Sequence, residues 1–434
     1  MGRLVHARPA AIVDRVESPH AWSTGLDRAD AAPASPHPYR WAMLAGVWWM
    51  YYAFGLTVAS MAPLVGPIGR ELGLSHAAMG GVFGAWPLVY VVSAIPCGAV
   101  LDRVGLRWSL FAGAAIVGAS GLLRALATDH LGLFLAVAVF GLGGPIVSVG
   151  APKLIGLWFD GQERSLAMGI YVTGSALGNV SALALTNSVM MPLAGGSWRR
   201  VLLAYALLAL ATGVVWLALS AHRASRRLEA RLATEPSPAP LQVFGELVGY
   251  RSVQLILLMS VGIFFVNHGL GNWLPEVLRS RGLSPAAADF WAAMPIAVGI
   301  GAALVLPRLA PASRRPAVLC ALFACAGVAT LAIGHAAGPW LAVGLLLQGI
   351  ARGSMLTFSM LILMETREVG IRHFGVAAGL FFSAAEIGGV LGPLAIGSLH
   401  DLTGDFAAGL GLLTAVCAAL MVLLGAFTRV TARG

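Results

Sequence analysis

Apolar runs of roughly 20 residues, separated by short stretches where Arg, Asp, Gly and Pro collect, make up most of this chain. A helix rises ~1.5 Å per residue, so a run of that length crosses a hydrocarbon core of about 30 Å. Twelve such runs are predicted, over 41–66, 78–100, 109–128, 131–155, 165–190, 200–221, 251–275, 285–306, 315–335, 340–363, 374–398 and 407–428. Inside lipid every backbone N–H and C=O needs a partner within the protein, which a helix supplies along its own length. The pattern therefore predicts an all-α polytopic membrane protein with twelve transmembrane helices.

The polar stretches carry a topology. With the first run starting in the cytoplasm, 21 Lys and Arg fall on cytoplasmic segments, six on outer ones, and Arg352 inside a run. That excess predicts cytoplasmic N- and C-termini. Residues 1–40 hold Arg, His, Asp, Glu and Pro without an apolar stretch long enough for a signal-peptide core, and read as a disordered cytoplasmic tail. Residues 222–250 are basic and then Pro-rich, as expected of a cytoplasmic linker. They separate a six-helix bundle at 41–221 from a second at 251–428, and 429–434 form a short cytoplasmic tail.

The two bundles echo each other. Gly73-Leu74-Ser75-x-Ala77-Ala78 recurs as Gly282-Leu283-Ser284-x-Ala286-Ala287 at an offset of 209, and Ala167-x-Gly169 recurs as Ala377-x-Gly379 at an offset of 210. A shared offset is the mark of duplication and predicts two pseudo-symmetric halves.

Composition narrows the function. Only 11% of the 434 residues are charged, against about 25% in a soluble domain, so water is not the main solvent. The net charge of +9 comes with no basic patch interleaved with aromatics, so topology explains it and nucleic acid is not a partner. Cys97, Cys320, Cys325 and Cys417 are scattered through apolar runs and read as small core hydrophobes, not a zinc site or disulfide framework. Lys153, the only lysine, follows Ala151-Pro152, so no G-x-x-x-x-G-K-[ST] loop exists and nucleotide-driven pumping is excluded. The ten histidines form no H-E-x-x-H or comparable spacing; no metal or cofactor is expected, and the chain is not expected to be an enzyme. Clusters such as Gly141-Leu142-Gly143-Gly144-Pro145 and Gly388-Gly389-Val390-Leu391-Gly392-Pro393 let helices approach closely, with bending during gating as the second reading.

The loop after the second run reads Gly98-Ala99-Val100-Leu101-Asp102-Arg103-Val104-Gly105-Leu106-Arg107. It resembles the G-x-x-x-D-R-x-G-x-R signature of the major facilitator superfamily. The resemblance implies two six-helix bundles that move about a central site. It also implies that Asp102, Arg103 and Arg107, with Gly98 and Gly105 shaping the turn, latch the halves at the cytoplasmic side. Trp108 departs from the second basic residue of many members, and the corresponding loop, Pro307 to Arg315, has arginines but no acid, which implies a one-sided latch. Pro152-Lys153-Leu154-Ile155-Gly156-Leu157-Trp158-Phe159, then Arg164, is similar to cyanate- and nitrate-type and organic-anion permeases of that superfamily.

A charge at mid-bilayer costs at least ~2.5 kcal/mol on insertion scales, which makes each one a candidate for function. Arg352 and Glu386 both fall at mid-depth, in the tenth and eleventh runs. They form either a structural pair or a site in which Arg352 binds an anion and Glu386 couples a proton. Further candidates for substrate binding are Lys153, Tyr51 and Tyr52 of the first run, and Asn267 and His268 of the seventh. Arg124 with Asp129, Glu276 with Arg279, and Asp289 read as interfacial charges near outer ends.

These features predict a monomeric secondary transporter in a bacterial inner membrane. It takes up a small hydrophilic solute, an organic or inorganic anion, with protons by alternating access, with membrane lipids its only other contacts. Two alternatives stay open. A drug or metabolite efflux antiporter would carry G-x-x-x-G-P in the fifth run, where Gly169, Gly174 and Gly178 have no following proline. A membrane scaffold or sensor would act through the Arg-rich tail and linker.

Overall fold

Each apolar run folds as a helix, and the computed structural model, which describes residues 38–226, 241–335 and 338–432, has twelve helices long and apolar enough to span a membrane. They are α1 Arg40–Ala59, α2 His76–Val104, α3 Leu106–Leu126, α4 His130–Trp158, α5 Gly161–Leu185 and α6 Trp198–Ser220. The second set is α7 Arg251–Ser280, α8 Pro285–Leu309, α9 Arg315–His335, α10 Pro339–Glu365, α11 Gly370–Thr403 and α12 Ala407–Thr431. Most of the expected tail, residues 1–37, and linker residues 227–240 lie outside the described residues. The end of the linker is a short helix, Leu241–Gly249, that buries Leu247. The helices alternate in direction between a proximal end, where α1 begins, and a distal end.

The repeated sequence motifs do the same structural work twice. Gly73 and Gly282 sit at positive φ, 64° and 90°, where the preceding helix stops. Two residues later the hydroxyls of Ser75 and Ser284 accept the N–H of Ala78 and Ala287, at 3.2 and 3.4 Å, and cap α2 and α8. Ala167 and Ala377 are both fully buried, in α5 and α11. Helix partners repeat as well. In the first half α1 packs on α5 and α6, α2 on α4, and α3 on α4 and α6. In the second half α7 packs on α11 and α12, α8 on α10, and α9 on α10 and α12. Each pair recurs six helices later, the pseudo-symmetry that the repeat predicts.

The halves meet through α2 against α11 and α5 against α8. Glycine sets the first contact: a Cβ on Gly80 would lie 2.5 Å from the Pro393 carbonyl oxygen, and one on Gly84 would lie 3.1 Å from that of Val390. The second is apolar, with Ala62 and Leu183 of the first half packed on Ala293 of the second. The Gly141–Pro145 cluster also packs helices, since a Cβ on Gly141 would lie 2.5 Å from the Trp86 carbonyl oxygen of α2. Cys97 and Cys417 are buried and Cys320 and Cys325 half-buried, all as free thiols.

Two expectations about interfacial charges fail, for one reason. Asp129 caps α4, accepting the N–H of Gly132 at 2.7 Å, and leaves Arg124 unpaired with it. Arg124 is buried, 2% exposed, and donates to the Thr57 carbonyl at 2.9 Å. Thr57 lies in the last turn of α1, whose carbonyls have no helical donors and carry the negative end of the helix dipole. Asp289 is likewise no surface charge: it is fully buried. Both charges turn inward because broken helix ends there offer partners that the sequence does not display.

Gly80→Val should drive α2 from α11 and lower the melting temperature, at a cost of about 1–3 kcal/mol. Gly81→Ala, whose Cβ would meet open space, should melt as wild type. Equal melting of both variants would contradict this contact.

Candidate functional site

Polar side chains converge at mid-depth around α7, which runs between α10 and α11 in the second half. Pro275 has no N–H and leaves the Gly271 carbonyl without its helical donor, so α7 is loosened along Gly269-Leu270-Gly271. Glycine at 271 makes room for Arg352 of α10: a Cβ there would lie 2.9 Å from Nη1 of Arg352. One turn earlier His268 faces α11, its Nδ1 4.0 Å from Oε2 of Glu386. Gly389 makes the matching space, since a Cβ on it would lie 2.6 Å from that carboxylate oxygen and 2.8 Å from Nδ1 of His268.

Arg352 and Glu386 do not pair with each other. Among the described residues no carboxylate lies within 4.0 Å of the half-buried Arg352 guanidinium. Glu386 is 5% exposed, and its buried Oε2 has no hydrogen-bond partner. Asn267 leaves a buried side-chain oxygen without a donor, and Asn272 donates to the His268 carbonyl at 2.9 Å. The arrangement is a cation, an imidazole and a carboxylate side by side, each short of partners. It can receive a small anion at one end and a proton at the other.

The first half faces this group with aromatic rings. Tyr171, Tyr51, Phe54, Phe140 and Trp86 follow one another at centroid separations of 4.2, 5.2, 5.0 and 5.5 Å. Trp86 then meets His268 across the halves at 5.5 Å. Tyr90 shares a hydrogen bond of 3.0 Å with Ser148. Tyr52, the neighbouring candidate, stacks on Trp48 at 5.8 Å, a separate contact. Lys153 is exposed, in the proximal part of α4. The sequence thus predicts Tyr51, His268, Asn267, Arg352 and Glu386, which the structure groups about one depth; Trp86 and Gly389 it does not single out.

The G-x-x-x-D-R-x-G-x-R segment lies elsewhere, at the proximal end. Gly105 makes the turn from α2 to α3 in one residue, at φ 84° and ψ 160°, a conformation for which glycine alone is suited. Arg103 is exposed there, Gly98 has nothing within 4 Å of its Cβ position, and Arg107 lies over the Trp108 ring at 5.0 Å. The side chain of Asp102 lies outside the described residues.

At the distal end the halves are joined by polar groups. Pro67, which lacks an N–H, leaves the Pro63 carbonyl free where α1 gives way to a short 3-10 turn. That oxygen accepts Asn187 of the first half at 2.9 Å and Arg279 of the second at 2.7 Å. Asp289 holds the same two donors, at 2.6 and 2.7 Å, and Arg279 also pairs with Glu276 at 2.8 Å. The proline spacing in Ala62-Pro63-Leu64-Val65-Gly66-Pro67 was the available sequence signal for this lock. Toward the proximal end Leu166 of α5 and Leu304 and Leu309 of α8 are exposed.

Two pseudo-symmetric six-helix halves, sealed at one end around a polar centre, define a transporter of the alternating-access class. Residues 47–393 match the sequence profile of the Major Facilitator Superfamily, and the chain belongs to that family. It is therefore a multi-pass membrane transporter and not an enzyme. It is 25% identical to the "Uncharacterized transporter YycB" of Bacillus subtilis (strain 168), over 90% of this chain and 94% of that protein. It is 23% identical to the "Probable galactarate/D-glucarate transporter GudP" of Escherichia coli (strain K12), over 78% of this chain and 82% of that protein. Among solved structures, the nucleoside transporter NupG has the same fold, with a TM-score of 0.72 at 15% identity over 91% of this chain and all of that one.

Asp289→Ala removes the acceptor that Asn187 and Arg279 share and leaves the half-buried Arg279 with Glu276 alone, a loss on the order of 2 kcal/mol. The distal seal should loosen. With the native cysteines replaced, a thiol probe should label Ala293→Cys, buried in the seal, faster in the Asp289→Ala background. An unchanged labelling rate would show that the lock does not hold the halves.

Proposed function

We propose that this protein takes up a small organic anion of the sugar-acid type together with protons, across a bacterial inner membrane with both termini in the cytoplasm. The observation that carries this reading is Arg352, a mid-depth guanidinium with no carboxylate within reach among the described residues. A half-buried cation lacking a protein counter-ion is best completed by a ligand carboxylate, which the guanidinium holds by two parallel hydrogen bonds. Glu386 is the proton carrier: its unpartnered oxygen faces His268 one turn of α7 from Arg352. Anion binding near that carboxylate favours its protonation, and protonation favours the anion, by the same coupling free energy in both directions.

The wider frame agrees. Asn267 and His268 offer hydrogen bonds to the hydroxyl groups of such a solute, and the aromatic row ending in Tyr51 and Trp86 offers flat apolar faces. A sugar diacid named for a relative fits a site with one strong cation. The halves are fastened distally, so with cytoplasmic termini this is the state open toward the cytoplasm. The Asp102, Arg103 and Arg107 loop then acts as the cytoplasmic latch of the opposite state. Lys153, at the mouth, draws anions inward, and the chain works as a monomer.

Arg352→Ala should abolish uptake of the sugar acid by proteoliposomes while melting as wild type; undiminished uptake would move the anion site elsewhere. Glu386→Gln should retain exchange of substrate for substrate but lose accumulation driven by a pH gradient. Accumulation at the wild-type level would assign the proton to another group, His268 first.

A further inference from the structure

The distal seal between α2 and α11 contains a side-chain cluster outside the proposed transport site. His76 opens α2, and His400 and Asp401 stand in the last turn of α11. The two imidazoles lie 3.7 Å apart between centroids. The Asp401 carboxylate is 3.4 Å from Nδ1 of His76 and 3.9 Å from Nδ1 of His400. One ligand atom from each of the three falls within 4.8 Å of the others.

We propose that His76, His400 and Asp401 bind one divalent transition-metal ion of the Zn²⁺ type, which clamps the first half to the second at the distal end. Two imidazoles and a carboxylate are a donor set such ions favour, at bond lengths of about 2.0–2.2 Å, which puts ligand atoms a little over 3 Å apart. Closing from the present separations takes small side-chain rotations, since the three groups are already in contact. The carboxylate is also held in place from behind: Asp401 accepts the backbone N–H groups of His76 and Ala77 at 3.1 and 2.8 Å. Outer contacts of this kind orient a metal ligand and raise its affinity.

The ion has a way in and a place for its fourth ligand. A cavity of about 290 Å³ has His76 on its wall, with Glu276, Arg70 and Ser75 beside it. Water or Glu276, which also pairs with Arg279, can complete the coordination. The internal repeat supplies an independent argument. At the offset of 209, His76 corresponds to Pro285, and at 210, His400 and Asp401 correspond to Met190 and Met191. The pseudo-equivalent seal between α8 and α5 therefore lacks all three ligands, although Ser75 and Ser284 cap α2 and α8 alike, so the cluster is specific to one seal.

Calorimetric titration of ZnCl₂ into the purified full chain, with any affinity tag removed, should show a site that His76→Ala and His400→Ala each weaken at least about tenfold. His130→Ala, an exposed distal histidine outside the cluster, should leave it unchanged. Zn²⁺ should also raise the melting temperature of the wild type and not that of His400→Gln, a variant of similar shape that tests the ligand if the alanine variants fold poorly. Equal Zn²⁺ affinity in the wild type and all cluster variants, or no saturable binding by the wild type, would overturn the proposal. Neither result depends on the identity of the transported solute.

Discussion

A polar group inside hydrocarbon has no water to fall back on, so every donor or acceptor there must be matched within the protein. Much of this structure follows from where prolines and helix ends break that matching. Pro67 frees the Pro63 carbonyl, which Asn187 and Arg279 take up to join the halves. Pro145 frees the Gly141 carbonyl, and the Ser93 hydroxyl fills it at 2.6 Å, fixing α2 on α4. The last turn of α1 leaves Thr57 open, and Arg124 donates to it from α3. In each case the local break becomes a long-range tie. The matching is also left incomplete at mid-depth, at the buried Oε2 of Glu386, while the nearby Arg352 guanidinium has no carboxylate within 4.0 Å among the described residues.

The constraint explains what could be read from the sequence. Spans are legible because lipid demands about 20 apolar residues in a row, and the repeat is legible because Gly73 and Gly282 with Ser75 and Ser284 perform the same local stop and cap. Arg352 and Glu386 are legible because a charge in an apolar run stands out. What the sequence hid is pairing at a distance. Asp289 reads as an end charge until α8 is set against Asn187 and Arg279, residues 102 and 10 positions away. Trp86 reads as one aromatic among many until α2 faces His268. His76 and His400 lie more than 300 residues apart in the chain, so no spacing rule could have joined them.

The two seams between halves are built to part. The α2–α11 seam closes by backbone approach at Gly80 and Gly84, and the α5–α8 seam by small side chains and two hydrogen bonds, Asn187 to Asp289 and Arg279 to the Pro63 carbonyl. Packing across glycine gains dispersion energy only at close range and gives it up within about an ångström of separation. The hydrogen bonds that cross the other seam, each with a charged group at one end, are exchanged for bonds to water when it opens, so each contributes only about 1.5–3 kcal/mol net. Both seams are therefore selective about geometry yet weak in net energy, as two states of similar free energy require.

That balance gives the distal chemistry its leverage. A carrier cycles only if neither state is favoured by more than a few kcal/mol, because a larger gap empties the other state and stops turnover. A ligand at a seam shifts the balance by its difference in affinity between the closed and open forms, whatever its absolute affinity. His76 belongs to one half and His400 with Asp401 to the other, so an ion held by all three has its full ligand set in the closed form alone. The α8–α5 seam has no such group, and its Asn187–Asp289 hydrogen bond is complete without a ligand. One seam is thus intrinsic and the other open to control from solution, an asymmetry that duplication alone would not produce.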